Sequence, residues 1–189
     1  MRNCLVAGVT HAGKTIFSRR LAEEYGYSRI PGDPLVLAFH RSFPQLGIGH
    51  DRELYKSACH QFGRFLPELM NALAWESTMP YVVDTFHVWP ADLPDIDTSK
   101  STVLFFGYPE ADPHEKTNHA RRYCKGHTGW IAGSPDEVCA GFRRLIQMSR
   151  DLREECLKYG FRFIDTSHAF ADVLSETVLL AVAQDGRDD

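Results

Sequence analysis

An eight-residue run, Gly8-Val9-Thr10-His11-Ala12-Gly13-Lys14-Thr15, constrains this chain more than any other feature of it. It fits the pattern G-x-x-x-x-G-K-[ST]. Apolar residues 3–7 lead into it, and residues 14–25 follow with Phe17, Leu21 and Tyr25 at four-residue spacing before Gly26. The expected local structure is therefore strand, tight loop, helix. Such a loop presents unpaired backbone N–H groups and the positive end of a helix dipole, which together attract phosphate. In that setting Lys14 reaches the β- and γ-phosphates and the Thr15 hydroxyl ligates the metal. ATP and Mg²⁺ are the expected cofactors.

Four further short apolar runs, residues 27–30, 81–83, 102–106 and 161–164, stop at Pro31-Gly32-Asp33, Asp84, Gly107 and Asp165. Most are separated by enough chain for a helix, which predicts an α/β fold of parallel βα units with helices on both faces. Residues 135–159 carry the longest helical pattern, with Ser134 as N-cap, Pro135 in the first turn and Gly160 as terminator. Residues 54–75 also read as helical, kinked or divided by Gly63 and Pro67. With 189 residues and 43% apolar content, one domain spanning 1–189 is expected.

Lys and Arg number 21 against 25 Asp and Glu, a net charge of -4 that argues against a nucleic-acid partner. The longest apolar runs fall far short of a membrane span, and residues 4–9 are too short for a secretory core. A cytoplasmic protein with no membrane partner is expected. The five cysteines, Cys4, Cys59, Cys124, Cys139 and Cys156, form no C-x-x-C pair and read as buried hydrophobes. Cys124, beside Arg122 and Lys125, is the thiol whose neighbours could lower its pKa.

A phosphate loop alone does not separate transferases from hydrolases and switches. The chain has no N-K-x-D and no L-S-G-G-Q sequence. Val82-Val83-Asp84 fits a strand whose carboxylate holds Mg²⁺ directly or through water, and the next residue is Thr85 where many hydrolytic ATPases carry Glu. Its absence shifts weight toward transfer to a bound acceptor. Asp33, after the second strand, would stand at the same sheet edge as the loop and could orient an acceptor hydroxyl or take its proton. It could equally cap a helix starting near Pro34.

These residues resemble the small P-loop kinases, the group of nucleoside monophosphate, shikimate and gluconate kinases, over nearly the whole chain. The matching features are residues 8–15, Asp33, Asp84, the basic pair Arg121-Arg122, and Phe163-Ile164-Asp165-Thr166-Ser167. The chain also resembles bacterial P-loop proteins of unassigned substrate, through residues 43–48 and Gly107-Tyr108-Pro109. The resemblance implies a three-layer core with a five-stranded parallel sheet in the order 2-3-1-4-5. It also implies an acceptor-binding helical segment at 34–78 and a lid at 108–133. Arg121 and Arg122 would close over the phosphates, and Thr166, Ser167 and His168 would lie beside adenine. The departures are His11 in place of a third glycine, Ile16 in place of a second hydroxyl, and Asp84-Thr85-Phe86-His87 without an arginine. They make AMP an unexpected acceptor.

The stretch after the second strand is basic for an acidic protein, with His40, Arg41, His50, Arg52, Lys56, His60 and Arg64. It suits an anionic acceptor, with Arg41 and Arg64 as the candidate contacts. The leading reading is an ATP-dependent kinase acting on a small, anionic, hydroxyl-bearing metabolite. The alternatives are a P-loop ATPase or nucleotide-dependent regulatory protein without a small acceptor, and a binding module that works through a protein partner.

Overall fold

The structure is a computed structural model that describes residues 2–49, 55–76, 78–93, 95–123 and 129–183. Its strands are β1 (Asn3–Gly8), β2 (Ser28–Pro31), β3 (Tyr81–Asp84), β4 (Ser101–Gly107) and β5 (Arg162–Asp165). The helices are α1 (Lys14–Tyr25), α2 (Gly32–Ser42), α3 (Tyr55–Glu76), α4 (Pro113–Tyr123), α5 (Pro135–Tyr159) and α6 (Phe170–Ala183). All strand pairs are parallel, and the sheet order is β2-β3-β1-β4-β5.

That order follows from the burial demanded by each run. Every residue of β1 and β4 is buried, as expected of central strands covered by helices on both faces. The edge strands β2 and β5 are shorter and only partly buried. Leu5, Val83, Leu104, Phe105 and Phe106 form the middle of the core, with Phe17 of α1 packed 5.3 Å from the Phe106 ring.

The helix termini follow their local chemistry. The Ser134 side chain accepts from the Glu137 N–H, Glu137 reaches back to Ser134, and Gly160 closes α5 in the left-handed conformation. α3 runs through Gly63 and Pro67 as one 22-residue helix. Gly63 lies where a side chain would strike Asp92, so it lets α3 approach the turn Pro90–Asp92. Asp33 lies inside the first turn of α2, and the N-cap position is Pro31. The N-cap position expected at Asp33 is therefore taken by Pro31, and Asp33 becomes an acidic residue of the first turn. Cys4, Cys139 and Cys156 are buried, whereas Cys124, Lys125 and the side chains of His50, Arg52, Lys56, Cys59 and His60 lie outside the described residues. Among the described residues no helix is long and apolar enough to cross a membrane.

Candidate functional site

The phosphate loop is shaped by its contacts with β4 and β5. Gly8 has φ 120°, and any side chain there would run into the Phe106 carbonyl. That carbonyl accepts from the Val9 N–H at 3.0 Å, so the loop departs from the sheet hard against β4. His11 takes φ 63° and Gly13 φ 98°, the left-handed turns that bring successive N–H groups to one side of such a loop. The Tyr108 hydroxyl donates to the Thr10 carbonyl at 2.8 Å. The buried Thr166 hydroxyl lies 3.2 Å from the Ala12 carbonyl and 3.1 Å from that of Gly107.

Lys14 opens α1 and its Nζ donates to the Val9 carbonyl at 2.7 Å. Burial pushes its pKa down to about 8, against the upward pull of the Asp33 and Asp84 carboxylates. Burial first, then Lys14, Lys116 and His119, lower His11 to about 4, so its ring is neutral near pH 7. That ring packs 5.6 Å from both Trp130 and Phe142, which are themselves 5.2 Å apart.

At the next corner the Thr15 hydroxyl donates to Asp84 Oδ2 at 3.2 Å. Asp84 is only 6% exposed and is also held by Arg29 of β2, at 2.8 Å. A hydroxyl beside a carboxylate, with no sulfur or imidazole between them, is a donor set for a hard cation such as Mg²⁺.

A cavity of about 1000 Å³ joins these groups. Thr10, His11, Lys14, Thr15, Asp33 and Asp84 line one side, and Thr85, Phe86 and His87 continue it from the end of β3. Trp130 lines it too, with Glu137, Gly141, Arg144, Leu145 and Met148, a stripe of α5 at helical spacing. Asp33 comes within 3.8 Å of His87 Nε2. The cavity therefore holds cations, a carboxylate at the mouth of β2, and an apolar flank.

The other expected residues sit elsewhere. Arg121 donates to the Gly133 carbonyl at 2.9 Å, and Arg122 lies over the Tyr123 ring at 5.3 Å. Both are exposed and neither lines the cavity. Arg41 and Arg64 are exposed on α2 and α3, also away from it. Thr166 supports the phosphate loop from below, Ser167 accepts from the Glu110 N–H, and His168 is exposed. Sequence reasoning missed Arg29, Arg144, Glu137 and Trp130. Only the α5 stripe carried a signal, since Glu137, Gly141 and Arg144 place two charges and a glycine on a face that also carries Leu145 and Met148.

No protein-family model matches the chain, and no curated protein does. Solved structures do. A gluconokinase from Sinorhizobium meliloti superposes with a TM-score of 0.57 at 17% identity, over 100% of this chain and 98% of its own. A shikimate kinase from Acinetobacter baumannii, in complex with shikimate, gives 0.52 at 17% identity, over 100% and 96%. The fold is that of the P-loop small-molecule kinases. A third structure, the Bacillus subtilis YorR protein in complex with phosphorylated GDP, gives 0.51 at 15% identity, over 99% and 100%.

Proposed function

We propose that the protein is an ATP-dependent kinase that phosphorylates a hydroxyl of a small anionic metabolite. The observation that carries this reading is that Lys14, Thr15, Asp84, Asp33 and Arg144 line one cavity. A loop for nucleotide phosphates opens directly onto a chamber large enough for a second small molecule.

In this reading the N–H groups of residues 10–15 cradle the phosphates and Lys14 supplies the fixed cation for charge on the transferred group. Mg²⁺, held at Thr15 and Asp84, would neutralise the β- and γ-oxygens. Asp33 orients the acceptor hydroxyl and takes its proton as the new O–P bond forms and the bond to the departing diphosphate breaks. Arg144 offers an anionic acceptor a cation away from the phosphates. Trp130, Phe86, Leu145 and Met148 keep water from competing with that hydroxyl. The segments 34–78 and 108–133 serve as the acceptor-binding and lid regions, with Arg121 and Arg122 drawn in only on closure. Neither a membrane nor a nucleic acid takes part, and the cytoplasm is the working compartment.

The test is ADP release from ATP-Mg²⁺, with GTP in parallel, across a panel of hydroxy acids and sugar acids. Release that depends on one acceptor class, with label from the γ-phosphate recovered on it, supports the kinase. Release at one rate whatever is added returns the ATPase reading.

A further inference from the structure

Arg29 stands on β2 in register with Val82 of β3, and its guanidinium turns to Asp84. Nη2 donates to both carboxylate oxygens, at 3.0 and 2.8 Å, while Nε donates to the Ser18 hydroxyl at 2.8 Å. The same carboxylate accepts from Thr15. Arg29 thus ties α1 to the end of β3 through the residue assigned to the cation site.

The charges at this corner balance, Lys14 and Arg29 against Asp33 and Asp84. A divalent ion approaching alone meets a carboxylate whose charge is already matched, and Mg²⁺ gives up its water reluctantly. Nucleotide phosphates reverse that balance by bringing several negative charges to the Lys14 side. We propose that Arg29 is a positioning residue that keeps Asp84 neutralised until nucleotide binds, so that the divalent cation enters with the nucleotide and not ahead of it. The inference rests on the assignment of Thr15 and Asp84 to the cation site.

Mn²⁺ binding, read by electron paramagnetic resonance, tests it without reference to turnover. Nucleotide-free native protein should leave millimolar Mn²⁺ unbound, and adding a nonhydrolysable ATP analogue should bring it in. Arg29→Gln removes a cation in direct contact with Asp84, and a charge at that range shifts ion equilibria by about tenfold or more. The nucleotide-free variant should therefore bind Mn²⁺ at least ~10-fold tighter than native, and adding Asp84→Asn should abolish the gain. Arg29→Lys, which keeps the charge, should stay near native. Native nucleotide-free protein that binds Mn²⁺ as tightly as its analogue complex overturns the proposal, however the variants fold. So does equal affinity in native and Arg29→Gln proteins. If Asp84→Asn alone leaves Mn²⁺ uptake by the analogue complex unchanged, the cation-site assignment itself fails and this proposal falls with it.

Discussion

The Nε2 of His87 lies 3.8 Å from a carboxylate oxygen of Asp33, with the histidine side chain 2% exposed and the carboxylate 56% exposed. A buried ring thus backs an acid that faces the cavity. The His87 backbone N–H donates to the Thr85 hydroxyl at 3.0 Å, which fixes the chain there, and the buried ring packs against Phe86 and Phe62. Asp33→Asn should cut phosphotransfer by ~10² to 10⁴, the usual loss of a positioned acid or base, with nucleotide affinity retained. His87→Gln should cost less, on the order of tenfold, and should fall on kcat rather than on nucleotide binding if the ring acts by orienting Asp33. Unchanged transfer in Asp33→Asn would remove the kinase mechanism.

Lys14 gives a pH dependence of definite sign. Its ordinary value of 10.5 is pushed down to about 8, so in nucleotide-free protein the cation is lost as pH rises through 8. Phosphate binding needs the charged form, and nucleotide affinity should fall by up to about tenfold per pH unit above that point. Stability should move the other way. Between about 8 and 10.5 the unfolded chain holds a proton that the folded one has released, so this group's contribution to folding rises with pH. Titration calorimetry and urea unfolding across pH 7–9.5 should show the opposed trends, and Lys14→Met should flatten both.

The chain has three tryptophans. Trp130 lines the cavity and packs on the loop residue His11, whereas Trp75 is 92% exposed. Adding ATP-Mg²⁺ should therefore alter tryptophan fluorescence, and Trp130→Phe should abolish the change while Trp75→Phe preserves it. A signal that survives Trp130→Phe would mean that nucleotide binds without disturbing the His11–Trp130 contact.

Gly8→Ala should be among the most damaging small substitutions. The disfavoured backbone alone costs ~1–3 kcal/mol, and the added methyl would press on the Phe106 carbonyl. A fall in the urea midpoint with an unaltered slope is the expected result. A wild-type midpoint would show that the loop can rearrange freely.

Strands and helix ends were legible because their causes are local. Apolar runs halted by Gly or Asp mark strands whose ends share one edge of a parallel sheet, which is why Lys14, Thr15, Asp33 and Asp84 could be assembled from spacing alone. Ser134 and Gly160 announce the ends of α5 for the same reason. Arg29 was not legible, since its partner is 55 residues away and nothing beside it distinguishes an arginine that holds Asp84 from a solvated one on an edge strand. Arg143 and Arg144 are neighbours in sequence, and only the rotation of α5 against the sheet turns one into the cavity. Pro34 points to a helix starting there with Asp33 as its cap, and the chain turns helical two residues earlier, at Gly32.

The Thr10 carbonyl is held by Tyr108, that of Ala12 by Thr166, and the Val9 amide by Phe106, so the loop's shape is set by the protein's own contacts. The Lys14 bond to the Val9 carbonyl has to be exchanged when phosphate arrives. Nucleotide capture should then carry the calorimetric signature of a rigid receptor: a favourable enthalpy and a small heat-capacity change, without the large entropic penalty of ordering a segment on contact.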